Sequence, residues 1–125
     1  MNIRDWLYVE DHCEAIDLII HEGKIGETYN IGGDCEKTNK EITHKILELM
    51  GRGEEMVDYV KDRPGHDRRY AIDFSKIKNK LGWTPRTDFE EGLKKTIEWY
   101  SNNENWWRNI KSGEYKNYYE KQYNK

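Results

Sequence analysis

Apolar positions along this chain fall into short runs that switch between the period of a strand and the period of a helix. Ile3 to Val9 is rich in β-formers and predicts a strand. Ala15, Ile16, Ile19 and Ile20 then trace a helical stripe. Asp11, with Glu14 three residues later, predicts a capping box at its start, and Gly23 predicts its stop. Glu27 to Ile31 reads as a second strand, closed by Gly32-Gly33. Thr38 and Glu41 predict another capping box, followed by Ile42, Ile46, Leu49 and Met50 on one face and by Gly51 at the end. Met56 to Lys61 and Arg68 to Asp73 predict two short strands flanking the turn Arg63-Pro64-Gly65-His66. Asp73 predicts the cap of a third helix, with Ile72 and Ile77 at staple positions and Gly82 as terminator. Thr87 and Glu90 predict the start of a fourth, with Phe89, Leu93, Ile97 and Tyr100 on one face. Beyond Asn102, residues Trp106, Trp107, Tyr115, Tyr118, Tyr119 and Tyr123 follow no clear period. The order predicts a mixed α/β architecture without internal repeats.

A strand that starts at residue 3 has no earlier strand to pair with. Met1 therefore reads as an artificial beginning, or else as a sheet edge at a natural terminus. Composition sharpens this point. A chain of 125 residues is the size of one ordinary domain. Its hydrophobic fraction is 35%, charged residues reach 36%, and mean hydropathy is −1.14. Such polarity in a free-standing globule suggests that some apolar surface is meant for a partner. An aromatic content of 13% argues against general disorder. A net charge of −3 gives no reason to expect nucleic acid. No apolar run approaches the roughly 20 residues that cross a bilayer, and no secretory signal precedes Arg4-Asp5-Trp6. Cys13 and Cys35 form no CxxC, and with His12, His21, His44 and His66 scattered there is no zinc spacing. These features predict a cytoplasmic protein with reduced thiols and no structural metal.

The segment from Asp62 to Tyr70 carries the most chemistry. Pro64 restricts Arg63 to extended geometry and Gly65 permits a tight turn, so Arg63 and His66 can project from a stiff loop. A guanidinium can hold a diphosphate through two parallel bonds, and a nearby imidazole can add a third. The competing reading is a solvated basic hairpin with Asp62 and Asp67 as local partners. Arg4-Asp5-Trp6 offers a second cation beside an aromatic, or else an Arg–Asp pair with a core tryptophan. Asn39, early in its helix, can donate to an anion at the helix N-terminus or simply face water. His12 belongs to the first turn of its helix. The tail aromatics can stack on a base or sugar, with packing as the default.

What is missing is also informative. No Gly-x-Gly-x-x-Gly fingerprint occurs, since Gly51-Arg52-Gly53 runs on into Glu54 and Glu55 after a helix. No Tyr is followed four residues later by Lys, and no Ser/His/Asp arrangement is present. On these grounds the chain alone is expected neither to catalyse a redox reaction nor to bind NAD.

Four segments in order, Arg4-Asp5-Trp6-Leu7-Tyr8-Val9-Glu10-Asp11-His12, Gly26-Glu27-Thr28-Tyr29-Asn30-Ile31-Gly32-Gly33, Asp62 through Asp73, and Leu81-Gly82-Trp83-Thr84-Pro85, resemble the dTDP-glucose 4,6-dehydratases. That family lies in the extended short-chain dehydrogenase/reductase superfamily. The tail Trp106-Trp107 and Ser112-Gly113-Glu114-Tyr115 is similar too. Arg-Asp-Trp and Tyr-Asn-Ile-Gly-Gly are moderately specific, because related epimerases and decarboxylases carry variants; the run from Arg63 to Asp73 is much more so.

The resemblance implies an α/β, Rossmann-type protein of which this chain is the C-terminal substrate-binding portion, without the N-terminal NAD-binding domain. Residues 1–33 would normally complete the cofactor-domain sheet, and residues 34–125 would form the nucleotide-sugar-binding domain. It implies that Arg4, Asn39, Arg63 and His66 contact the diphosphate region of a dTDP-sugar. In the complete family enzyme NAD serves as cofactor, C4 of the sugar is oxidised, water is lost across C5–C6, and hydride returns to C6. The partners implied are a dTDP-sugar and the NAD-binding half, with self-association where that half is missing. Two other readings stay open: a non-catalytic dTDP-sugar-binding or complementing subunit, and an inert truncated fragment.

Overall fold

The computed structural model describes residues 2–111. In chain order these form β1 (Ile3–Asp5), α1 (Val9–Glu22), β2 (Glu36–Thr38), α2 (Asn39–Leu49), a single 3₁₀ turn (Glu54–Met56), α3 (Ser75–Leu81), α4 (Phe89–Asn102) and α5 (Glu104–Lys111). The chain divides into two compact units, one ending at Leu93 and the other beginning at Lys94.

In the first unit β1 and β2 pair antiparallel, with Ile3 opposite Thr38 and Asp5 opposite Glu36. The first strand is shorter than its β-forming residues predict, because Tyr8 begins α1 as its N-cap, extended at φ −69° and ψ 141°. Asp11 consequently lies inside the first turn and does not cap it. Its carboxylate is buried and accepts the backbone N–H groups of Arg86 and Thr87 and the Thr87 hydroxyl.

The predicted strand Glu27–Ile31 does not form; residues 24–35 carry no regular structure. A strand needs a ladder, and the residues alongside supply none. The strands predicted at Met56–Lys61 and Arg68–Asp73 fail for the same reason. Met56, Tyr59 and Val60 are exposed, and Arg69 makes only an isolated parallel bridge to Ile3. The strand that does pair with β1 is Glu36–Thr38, too polar to be read as one.

Helix boundaries follow local chemistry more closely. Thr38 and Glu41 form the capping box that opens α2. The N-cap of α3 is Phe74, one residue after the predicted Asp73, which still accepts the N–H of Ser75, and Gly82 ends that helix in the left-handed conformation at φ 73°. At α4 it is Asp88 that accepts the N–H groups of Glu90 and Glu91; Thr87, the predicted opener, is occupied by Asp11.

The core of the first unit is Ala15, Ile77 and Trp83, with Leu7, Leu18, Ile19, Tyr29, Ile31, Phe74 and Leu81 packed around it. Phe74 meets Trp83 edge-on at 6.0 Å. Ile16 and Ile20, although on the predicted stripe of α1, are exposed together with Val9.

The second unit holds a helix that the aperiodic tail did not predict. α5 carries Trp106, which packs edge-on against Trp99 of α4 at 5.2 Å, and Trp107, whose indole N–H donates to the Tyr100 carbonyl at 2.8 Å. The tail tyrosines 115, 118, 119 and 123 lie outside the described residues.

Candidate functional site

β1 runs alongside residues 68–70. Ile3 donates to the Arg68 carbonyl at 2.9 Å, so the strand and the Arg63–His66 turn are brought side by side. The turn itself requires glycine, since Gly65 sits at φ +68°. His66 thereby faces Arg4, sixty-two positions earlier, and the guanidinium Nη2 donates to its Nε2 at 2.9 Å. Nδ1 of the same ring lies 2.6 Å from Asp62 Oδ1. The Asn2 amide contacts both ring nitrogens, at 2.7 and 3.2 Å.

Arg4 is held on several sides. It donates to the carbonyls of Ile3 at 2.6 Å and Asp67 at 2.9 Å, and its guanidinium lies over the Tyr70 ring at 4.4 Å from the centroid. Carbonyls, an imidazole and a π-face fix its plane without neutralising it. The nearby Asp62 carboxyl is pushed below its ordinary range, chiefly by its hydrogen bond to His66 and also by the N–H of Arg63.

The Arg–Asp pair considered for Arg4-Asp5 does not form. Asp5 instead accepts the N–H of Gly33 at 2.8 Å and of Cys35 at 2.9 Å, tying the Gly32-Gly33 loop to β1. Trp6 is half-buried and donates to the Lys37 carbonyl at 3.1 Å; the core tryptophan is Trp83. Asn39 is the first residue of α2, exposed, and its backbone N–H donates to the Asn2 carbonyl at 3.0 Å. That bond sets the start of α2 beside the residue that touches His66. Arg63 is exposed on the same loop as His66. The structure thus joins Arg4 and His66 directly, ties Asn39 to them through Asn2, and leaves Arg63 exposed three residues from His66 on the same loop.

Three members were not singled out from the sequence. Asn2 and Tyr70 gave no local signal, because their contacts depend on β1 lying against residues 68–70. Asp62 was read only as a partner for solvated charge, although its i,i+4 spacing to His66 was visible.

Two further features bound the chemistry. Among the described residues no group of His, Cys, Asp and Glu side chains could hold a metal ion. Gly51 and Gly53 do not fit a dinucleotide: they follow α2 rather than a strand, and the N–H of Gly53 is taken by the Glu55 carboxylate at 3.1 Å.

Comparison with known proteins places the chain in a family. The sequence profile described as GDP-mannose 4,6 dehydratase matches residues 1–96. A dTDP-glucose 4,6-dehydratase of Escherichia coli is 52% identical over 128 residues, which covers 97% of this chain and 36% of that protein. A dTDP-glucose 4,6-dehydratase structure from Bacillus anthracis in complex with NAD superimposes with a TM-score of 0.81 at 51% identity, covering 88% of this chain and 35% of that one. Another, from Streptomyces venezuelae with NAD and TYD bound, gives a TM-score of 0.79 at 43% identity, covering 84% and 33%. The chain therefore spans about a third of the length of the relatives it matches. With the profile covering most of its sequence, the chain belongs to the GDP-mannose 4,6 dehydratase family and corresponds to a part of the extended short-chain dehydrogenase/reductase fold of its dTDP-glucose 4,6-dehydratase relatives.

Proposed function

We propose that this chain is the nucleotide-sugar-binding, C-terminal portion of a dTDP-glucose 4,6-dehydratase, and that Arg4, Asn39, Arg63 and His66 hold the diphosphate of a dTDP-sugar. The observation that carries this reading is the meeting of Arg4 with His66 at 2.9 Å, across sixty-two positions of sequence, on the loop that also bears Arg63. Carbonyls hold the Arg4 guanidinium in place, so the Nη2–H that now meets His66 can turn to a phosphoryl oxygen. Asn39 adds an exposed side-chain amide at the first residue of α2, which can donate to a phosphoryl oxygen.

In this reading residues 1–33 complete the sheet of a cofactor domain supplied from outside the chain, and residues 34–125 form the substrate domain. NAD bound by that other portion would accept and return the hydride as dTDP-D-glucose becomes dTDP-4-keto-6-deoxy-D-glucose. Arg4, Asn39, Arg63 and His66 bind and orient the nucleotide sugar. The free thiols of Cys13 and Cys35 suit a reducing, cytoplasmic setting. No helix among the described residues is long and apolar enough to cross a membrane.

Titration of dTDP and of thymidine against the chain tests the site. dTDP is expected to bind weakly and thymidine more weakly still, because the diphosphate is what the cations recognise. Equal affinities would remove the diphosphate role.

A further inference from the structure

The hydrogen bonds around His66 fix where its proton sits. Arg4 can only donate, because a guanidinium has no acceptor and does not lose its proton. Its 2.9 Å contact therefore requires a bare lone pair on His66 Nε2. The ring proton is then on Nδ1, where Asp62 Oδ1 accepts it at 2.6 Å. The Asn2 amide nitrogen lies 2.7 Å from Nδ1 and 3.2 Å from Nε2; a proton on Nδ1 requires that amide to be turned so that its oxygen faces the ring there. So the free site holds a neutral imidazole between a guanidinium and a carboxylate.

A phosphoryl oxygen cannot replace Arg4 in that arrangement. It is an acceptor, and a lone pair on Nε2 would oppose it. For His66 to help hold a diphosphate, Nε2 must gain a proton. The charged groups facing the ring are Arg4 from β1 and Asp62 from its own loop, with Arg63 and Asp67 as the ring's loop neighbours and Asn2 as a neutral contact. Of these, Asp62 favours the imidazolium through Nδ1, Arg4 opposes it, and the incoming anion tips the balance by drawing Arg4 to itself.

We propose that Asp62 is a positioning residue which holds the His66 proton on Nδ1, and that capture of a diphosphate is coupled to uptake of a proton from solvent at His66 Nε2. On binding, Arg4 leaves Nε2 for a phosphoryl oxygen, a proton adds to Nε2, and the imidazolium donates to the anion on one side and to Asp62 on the other. This rests on the proposed role of Arg4 and His66 in diphosphate binding and adds to it a tautomer and a proton count.

The test uses the whole chain and dTDP-glucose, whose diphosphate diester does not itself titrate near neutrality. Binding is followed calorimetrically in buffers of different ionisation enthalpy, from about pH 5.5 to about pH 8.5, a range that brackets an ordinary histidine. The expected result is net proton uptake on binding, with affinity weakening as pH rises by at most about tenfold per pH unit. His66→Gln should bind with no proton uptake. Asp62→Asn keeps an acceptor for Nδ1–H but not the charge, so its uptake at about pH 8 should fall and its affinity profile should move to lower pH. Imidazole nitrogen chemical shifts of the unliganded chain should show the Nδ1–H tautomer at the alkaline end, independent of any ligand. Binding without proton uptake, or uptake unchanged in His66→Gln, would overturn the coupling alone, as would an Nε2–H tautomer in the free chain. Failure of the wild-type chain to bind dTDP-glucose at all would overturn the diphosphate site and the coupling together.

Discussion

Asp11 Oδ2 accepts the backbone N–H of Thr87 at 2.9 Å, across seventy-six positions of sequence, while Oδ1 takes the Thr87 hydroxyl at the same distance. A third bond, from the N–H of Arg86 at 3.2 Å, completes the set. A buried carboxylate on α1 thus fixes the chain just before α4. Because Asp11 is only 4% exposed, its removal leaves three donors without a partner. Asp11→Ala should cost about 3 kcal/mol of stability. Asp11→Asn, which keeps an acceptor but no charge, should cost less. Denaturant midpoints compare the two; equal, small losses would show that the contact is not a structural tie.

Gly33 makes a second such tie, and here the backbone is decisive. A Cβ on Gly33 would overlap the Trp6 carbonyl oxygen, and its N–H is already given to Asp5 at 2.8 Å. Neither neighbour can give way without disturbing β1. Gly33→Ala is therefore expected to destabilise by about 2–3 kcal/mol. Gly26 is the control. Its φ of +83° is strained for alanine, but nothing lies within 4 Å of the added carbon, so Gly26→Ala should cost about 1 kcal/mol. Similar losses at both positions would argue against the close approach at Trp6.

These two residues show where the sequence could be read and where it could not. Gly32-Gly33 was read as the end of a strand that does not form, and Asp5, which holds the loop, only as a candidate partner for Arg4. Asp11-x-x-Glu14 has the composition of a capping box, yet Tyr8 caps the helix and Asp11 serves a distant loop. The signal for capping is local, and nothing local distinguishes a carboxylate that closes its own helix from one that closes another. Thr38 and Glu41 gave the same signal and do close their own. Strands fared worst because pairing is non-local: Glu27–Ile31 has the right residues and no ladder, whereas Glu36–Thr38 has polar residues and a partner in β1. At the site, the Arg63-Pro64-Gly65-His66 turn carried its own stiffness in its sequence. The contact of Asn2 with its histidine did not, since it appears only when β1 lies beside residues 68–70.

Acid should weaken the fold through carboxylates that are held below their ordinary range. Glu41 is lowered chiefly by the Thr38 hydroxyl and then by the Thr38 N–H, Asp73 by the Ser75 N–H, and Glu27 by Lys76. Each is easier to protonate in the unfolded chain than in the folded one. Their contribution is therefore present above the unfolded values and lost as pH falls through the folded ones, a window that opens below about pH 4.5. Thr38→Val removes the hydroxyl on which the Glu41 shift mainly depends, so the acid limb of its stability profile should be shallower than in the wild-type chain. Melting between about pH 5 and about pH 3 tests this; parallel profiles would place the acid sensitivity elsewhere.

α1 presents Val9, Ile16 and Ile20 to solvent at 63%, 45% and 72% exposure, on one face of the helix at spacings of seven and four. Apolar side chains aligned in this way bury area at little entropic cost when two copies meet. The isolated chain should self-associate, with light scattering rising as concentration rises. Ile16→Lys combined with Ile20→Lys should shift it toward monomer by tenfold or more in concentration, about 1.4 kcal/mol. A monomer at every concentration in the unsubstituted chain would leave this face without that role.

The sharpest test of the proposed site separates charge from geometry. Arg63 lies exposed on the loop that carries His66, whereas Arg108 lies on α5 in an ion pair with Glu104 at 3.0 Å. If Arg63 grips a diphosphate through its planar fork, an ammonium at that position keeps the charge but cannot make two parallel bonds. Bonds of this kind are worth about 1.5–3 kcal/mol each when well formed, so Arg63→Lys should weaken dTDP binding about tenfold or more. Arg108→Lys preserves a cation opposite Glu104 and should leave dTDP affinity within about twofold. Thymidine, which lacks the diphosphate, should bind all three proteins equally weakly. Titration of both ligands against the three chains decides the matter, because a general electrostatic attraction would respond to neither substitution, whereas a fork on the diphosphate responds to only one. Equal losses at both arginines, or a loss for thymidine as large as that for dTDP, would return the loop to a solvated hairpin.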